Sequence, residues 1–167
     1  MKRLKKLILL ILAPFVLVGT VVSMGHSFHN SAPNFECFAC HQAIGEHETK
    51  LNIKGIPKAY KPGKTYELTL VVDSTIKSIG EVQGGFAVRV NAGELIVRDD
   101  MGTQLSNYPI LTHTVEGSEK RVWQFGWKAP RQKTDIELMV MAVAANGDFS
   151  PVGDATAAMV FTIKPGK

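Results

Sequence analysis

Residues 65–73 read Thr-Tyr-Glu-Leu-Thr-Leu-Val-Val-Asp. Tyr66, Leu68, Leu70 and Val72 fall on one side of a period-two pattern, with Thr65, Glu67, Thr69 and Asp73 on the other. Successive side chains of a strand point to opposite faces, so this spacing predicts a strand with one buried and one wetted face. The four residues before it, Lys61-Pro62-Gly63-Lys64, place Pro and Gly in the order of a type II turn. Working outward, the same grammar repeats. Phe86, Val88 and Val90 share a face behind Gly84-Gly85, and Asn91-Ala92-Gly93 turns the chain into residues 94–97. Residues 110–115 predict another strand, and residues 116–120 a polar turn. Trp123, Phe125 and Trp127 lie on one face of residues 122–128, which Ala129-Pro130 ends. Residues 135–145 are apolar on both faces in the middle, as a central strand would be. Asn146-Gly147-Asp148 is a turn, and residues 155–163 are a last strand. Short strands at regular spacing between turn signals predict an all-β fold, a β-sandwich over residues 51–167.

The N-terminus is of a different kind. Lys2, Arg3, Lys5 and Lys6 precede an apolar run from Leu7 to Val22, broken by Pro14, Gly19 and Thr20. A basic stretch before an apolar one is a signal peptide or a retained signal anchor, here residues 1–25. The run is near the lower length limit of a spanning helix, and residues 7–24 are the candidate anchor to the cytoplasmic membrane. No clean cleavage site follows, and no lipidation cysteine does. The body of the chain is therefore expected outside the cytoplasm, in the periplasm or at the cell surface.

The net charge of +4 belongs to that segment. Once its four basic residues are set aside, 15 Lys+Arg face 15 Asp+Glu. A near-neutral body without a basic stripe argues against a nucleic-acid partner. The length past the signal suits a single domain with a real core.

Between signal and strands, residues 26–50 contain Cys37-Phe38-Ala39-Cys40-His41, a C-x-x-C-H, with the chain's only two cysteines. This is the attachment pattern of a c-type haem: two thiols form thioethers with the haem vinyl groups, and the adjoining histidine is the proximal iron ligand. The motif implies one covalent haem c on Cys37 and Cys40, with His41 on the iron. Three other uses of the cysteines remain open at this point. A thioredoxin-like dithiol would need a βαβ context. A closed zinc site would need four ligands. An exported chain could also carry a short Cys37–Cys40 disulfide. Residues 37–50 are expected to form a short helix after the motif.

The ordered set Tyr60-x-Pro62-Gly63-x-x-Tyr66, Gly84-Gly85-Phe86, Thr112-His113-Thr114, Trp123-x-Phe125-x-Trp127-x-Ala129-Pro130 and Ala145-Asn146-Gly147-Asp148 resembles the Reeler-like domain of bacterial and archaeal exported proteins, the "choice-of-anchor V" group. Many of those carry C-x-x-C-H just ahead of the domain. The resemblance spans roughly residues 35–163. It implies an immunoglobulin-like sandwich and a secreted or surface location, and little about chemistry. The chain ends Lys164-Pro165-Gly166-Lys167, without a sorting tail, so any anchor is expected at the N-terminus.

The distal side of the iron is not written in the motif. His113 is the first candidate, since it shares a strand face with Leu111 and Val115 and an apolar face gives a histidine few partners; a core histidine bonded to a backbone carbonyl is the competing role. His29 and His26, in the loop before the motif, are the alternatives. His47 sits six residues after His41, off its face if the segment is helical. Met139 and Met141 suit core packing, and Met101 a surface turn. An open position would allow a small gas to bind, or catalysis. Phe35, Phe38, Ile44, Leu51 and Ile53 could cover the ring edge or form an ordinary core seam.

Asp99-Asp100 suits a solvated turn better than a calcium site. Hydrolase, nucleotide-binding and metalloprotease motifs are absent from the sequence. The expectation is an exported monohaem c-type cytochrome, not an enzyme, passing single electrons to redox partner proteins outside the cytoplasm. It would hold to the membrane through the N-terminal segment if that is uncleaved, and a homo-oligomer is allowed. A peroxidase would need a distal catalytic pair, and none is evident. The other reading is an extracytoplasmic Reeler-like binding or structural module, in which the haem is a sensor or a structural element.

Overall fold

Residues 65–73 form β3 (Thr65–Ser74), with Tyr66, Leu68, Leu70 and Val72 buried as the alternation demands. The computed structural model describes residue 32, residues 35–106 and residues 109–167. The signal or anchor segment, His26 and His29 lie outside the described residues. Among the described residues no helix is long and apolar enough to cross a membrane.

Two sheets stack on β3 and its neighbours. On one side β1 (Thr49–Lys54), β3, β8 (Val122–Lys128) and β5 (Glu94–Val97) form a four-stranded antiparallel sheet in that order. Facing it is a six-stranded sheet. Its order is β2 (Ala59–Tyr60), β10 (Ala155–Pro165), β9 (Ile136–Ala144), β4 (Gly84–Val90), β7 (Leu111–His113) and β6 (Thr103–Leu105). Within this sheet β2 pairs with β10 in parallel and the other described strand pairs are antiparallel. The all-β sandwich read from the sequence is the observed fold, and the doubly apolar stretch is β9, inside its sheet between β10 and β4.

The inner faces meet in one apolar core. Trp123, Phe125 and Trp127 of β8 are fully buried, as are Phe86, Leu68, Leu70, Leu138 and Ile163. Burying a side chain such as Phe86 or Leu138 contributes about 1.5–3 kcal/mol. The polar edges of the aromatics are satisfied. Trp123 Nε1 donates to Gly117 O at 2.8 Å and Trp127 Nε1 to Ala92 O at 3.2 Å. The Tyr60 hydroxyl accepts from Thr134 N at 2.9 Å and lies between the carbonyls of Gln132 and Thr134. Phe86 lies against Trp123 with ring centroids 4.7 Å apart.

Four local expectations need correction. The helix expected over residues 37–50 is a single turn, α1 (Cys37–Cys40). It stops because Gln42 leaves the helix to bridge Val152, and β1 already begins at Thr49. The strand expected over residues 110–115 is only β7, because Glu116–Glu119 forms a 3₁₀ turn. Val115 therefore leaves the face of Leu111 and His113 and is exposed. Phe38 and Ile44 are exposed as well, while Leu51 and Ile53 belong to the sandwich core, so these four do not form a seam around the motif. Phe35 does pack, under the Arg89 guanidinium and beside Ala32, Ala87 and Ile110 on the other face of β4.

Candidate functional site

A cavity of about 530 Å³ opens at the end of the six-stranded sheet where β4 begins and β7 and β9 end. Ligand sites are typically about 300–1,000 Å³. Cys37, Cys40 and His41 form part of its wall, and His113 another part. Gly84, Gly85 and Phe86 come from β4, Val143 and Ala145 from the end of β9, and Phe149, Pro151 and Asp154 from the β9–β10 connection. Residues more than 70 positions apart in sequence thus face one mostly apolar space.

Three contacts tie the motif to the β9–β10 connection. Gln42 N donates to Pro151 O at 2.9 Å, and Gly153 N donates to Gln42 O at 2.7 Å. His41 Nδ1 lies 2.7 Å from Asp154 Oδ2. An ionised carboxylate only accepts, so the imidazole donates from Nδ1, and in the neutral ring the lone pair is then on Nε2. Asp154 is 2% exposed, and its second oxygen accepts from Asn146 N at 2.8 Å. Nearby, the half-buried Arg121 guanidinium donates to the carbonyls of Gln83, Ile76 and Ala145. Burial lowers the Arg121 pKa from its usual value, and the Asp154 charge opposes that shift. An Arg keeps its charge regardless, so the buried carboxylate acts on a fixed cation, though the two form no direct ion pair among the described residues.

The two cysteines are free thiols at the same wall. Burial pushes the Cys37 thiol up to about 11; its backbone hydrogen bond works against that, and Cys40 adds to it. His113 is buried at 8% exposure. Its Nδ1 accepts from Phe86 N at 3.1 Å, with Thr112 Oγ1 at 3.2 Å and Phe86 O at 3.3 Å beside it. The first bond places the neutral ring's proton on Nε2; a shift of that proton to Nδ1 would find acceptors in the other two.

The remaining sequence candidates stand elsewhere. His47 is exposed and its Nε2 donates to Ile44 O at 2.7 Å. Met139 and Met141 are half-buried on the outer face of β9, and Arg89 Nε lies 3.2 Å from the Met139 sulfur. Met101 is exposed in its turn. None of these four lines the cavity. Asp99 pairs with Lys120 at 2.5 Å and accepts from Gly102 N. Among the described residues no three His, Cys, Asp or Glu side chains converge as a metal site of their own. A haem iron needs none, because the porphyrin fills four positions and the protein supplies only the axial ones. The residues present fit such a group: two thiols and an imidazole with its Nε2 available, all on an apolar cavity.

Sequence reasoning missed Asp154 and Arg121. The available signal was a lone acid directly before the apolar start of β10, at a position where burial requires a partner.

No protein-family model and no curated protein matches this chain. Solved structures similar to it include the Reelin-N domain of F-spondin, at 18% identity and TM-score 0.47, covering 77% of this chain and 94% of that one. A cohesin module from a Clostridium perfringens family 33 glycoside hydrolase is similar at 14% identity and TM-score 0.46, over 70% and 96%. A conjugative transposon lipoprotein from Bacteroides eggerthii is similar at 14% identity and TM-score 0.44, over 69% and 95%.

Proposed function

We propose that this chain is an extracytoplasmic β-sandwich carrying one covalent haem c, and that it passes single electrons to redox partner proteins. The observation that supports this reading is the shared cavity: Cys37, Cys40, His41 and His113 line one apolar space. Cys37 and Cys40 would hold the group and His41 would bind its iron through Nε2, with His113 as the candidate on the other side. A bound haem supplies one-electron chemistry at a potential set by axial ligands, second-shell bonds and burial. The chain's own contribution is to orient His41 through Asp154 and to surround the site with apolar walls. Placement outside the cytoplasm rests on the basic and apolar N-terminus.

A second reading has its own observation. With Phe86 N donating to Nδ1, the neutral His113 ring carries its proton on Nε2, the state of a hydrogen-bond donor and not of a ligand. The distal position would then stay open, and the chain would be a binding or structural module of the Reeler-like kind, with the haem as sensor or structural element.

One experiment separates the two. The protein is expressed with haem-maturation machinery, and oxidised and reduced spectra are recorded for wild type and His113→Ala. A low-spin wild type that becomes high-spin in the variant supports the electron carrier with His41 and His113 on the iron. A high-spin ferrous wild type that takes carbon monoxide without displacing a ligand supports the second reading. Absence of covalent haem in the wild type refutes both and returns Cys37 and Cys40 to a dithiol or disulfide.

A further inference from the structure

We propose that Asp154 is a positioning residue for His41, holding the proximal imidazole as an Nδ1–H donor to a buried carboxylate and so lowering the potential of the iron it binds. This rests on the haem reading above and concerns the same site.

The geometry carries it in three steps. First, the bond is short, at 2.7 Å, and Asp154 is almost wholly buried, so water does not compete for the carboxylate. A hydrogen bond to an ionised group is about twice as strong as one between neutral groups. Second, both Asp154 oxygens are committed, one to His41 Nδ1 and one to Asn146 N, so the carboxylate cannot swing away without abandoning a backbone donor. Third, the Asp154 charge is felt by a cation that is itself fixed, since Arg121 is tied to three backbone carbonyls from three separate segments.

An imidazole that donates to a carboxylate is more electron-rich at Nε2, and its orientation is set before any metal arrives. Negative charge passed toward the iron favours the ferric state over the ferrous one. No neutral acceptor would do this as strongly. Asparagine is nearly isosteric, but its amide offers one acceptor oxygen where Asp154 uses two. Asp154→Asn therefore loses the charge behind His41 in either orientation, and with it either the bond from Asn146 N or the one from His41 Nδ1. With the amide NH₂ turned toward His41, the ring would have to accept at Nδ1 and carry its proton on Nε2, the nitrogen the iron needs.

The test compares wild type, Asp154→Asn and Asp148→Ala, all matured with haem, by spectroelectrochemical titration and, where the ferrous iron is five-coordinate, by its iron–histidine stretching band. Asp148 is an exposed residue of the same connection whose carboxylate accepts from Ser150 N, so its variant reports general disturbance of the loop. Second-shell changes typically shift metal affinity about 10–100-fold. The lower end, applied to the ratio of ferric to ferrous affinity, raises the midpoint by about 60 mV at about 59 mV per tenfold for one electron. The expected result is that rise, with a lower stretching frequency, in Asp154→Asn and neither change in Asp148→Ala. An unchanged midpoint and stretch in a haem-loaded Asp154→Asn overturns the inference and leaves the haem reading intact. If Asp154→Asn does not fold, the His41 ring proton is followed by NMR in the wild type. A slowly exchanging Nδ1–H supports the assignment, and exchange at the rate of a solvated imidazole overturns it. A wild type without covalent haem defeats the haem reading first, and is seen before any variant is compared.

Discussion

Gly85→Ala tests the packing that holds His113. Gly85 is in β4 and is not among the glycines with left-handed backbone, so alanine meets no conformational penalty there. The obstacle is the ring. A Cβ at Gly85 would lie 2.5 Å from His113 Cε1, 2.8 Å from Nε2 and 2.9 Å from Nδ1, where ordinary contact begins near 3.4 Å. The imidazole would have to retreat by about 1 Å, which stretches the 3.1 Å bond from Phe86 N to about 4 Å, past hydrogen-bonding range. A buried N–H left without its acceptor costs about 1–3 kcal/mol. Overpacking costs about the same again, and the two overlap because retreat relieves one by incurring the other. The expected destabilisation is about 2–3 kcal/mol, read as a lower urea midpoint at unchanged slope in haem-free protein, followed by tryptophan fluorescence. Gly126→Ala is the control. Its nearest neighbours are Arg98 Nε and Ile96 Cβ, both at 3.2 Å, and a small shift of the arginine relieves much of that contact. That control should cost under about 1 kcal/mol. A Gly85→Ala protein within about 0.5 kcal/mol of wild type would refute the reasoning, because it would mean the His113 ring moves freely in its pocket.

Two further outcomes follow from the core and the surface. Trp123→Phe removes the donor to Gly117 O and leaves space beside Phe86, so chemical denaturation should report a loss of about 2–4 kcal/mol; a loss below about 1 kcal/mol would show that the 3₁₀ turn readily finds another donor. Asp99 has its carboxyl held below the usual 3.8, first by the hydrogen bond from Lys120, then by that charge and by backbone N–H groups, with burial working the other way. Its folded pKa lies below its unfolded one, so the pair's contribution is complete above the unfolded value and fades as pH falls through the folded one. For a pair this exposed, Asp99→Asn should cost roughly 0.5–1 kcal/mol at neutral pH and progressively less as the solution is acidified. A difference that persists in acid would mean that charge is not its source.

The legible and illegible parts of this molecule divide by the range of the interactions involved. The faces of β3 and β8 could be read because alternation is a local property, and every predicted inward residue of those strands is buried. The short helix after the motif was over-extended because the segment has no apolar period of its own. Its path is set by Pro151 and Gly153, more than 100 residues away, which capture Gln42 and end α1 after one turn. His113 could be singled out because an imidazole on an apolar strand face is conspicuous. Asp154 is far less conspicuous, since the partner that explains it is 113 residues distant. The Asn146-Gly147-Asp148 turn does more than reverse the chain. Asn146 accepts from Asp148 N, Asp148 from Ser150 N and Ser150 from Val152 N, a relay of side-chain bonds along the β9–β10 connection. Phe149 sits within it with a left-handed φ of 62°, a strained conformation for an aromatic residue that the flanking bonds hold in place. Beyond that relay, Pro151 O and Gly153 N receive Gln42, and Asp154, at the end of the connection, receives His41. The orientation of the His41 ring is thus a property of the sandwich and its loop, set by contacts within the chain itself.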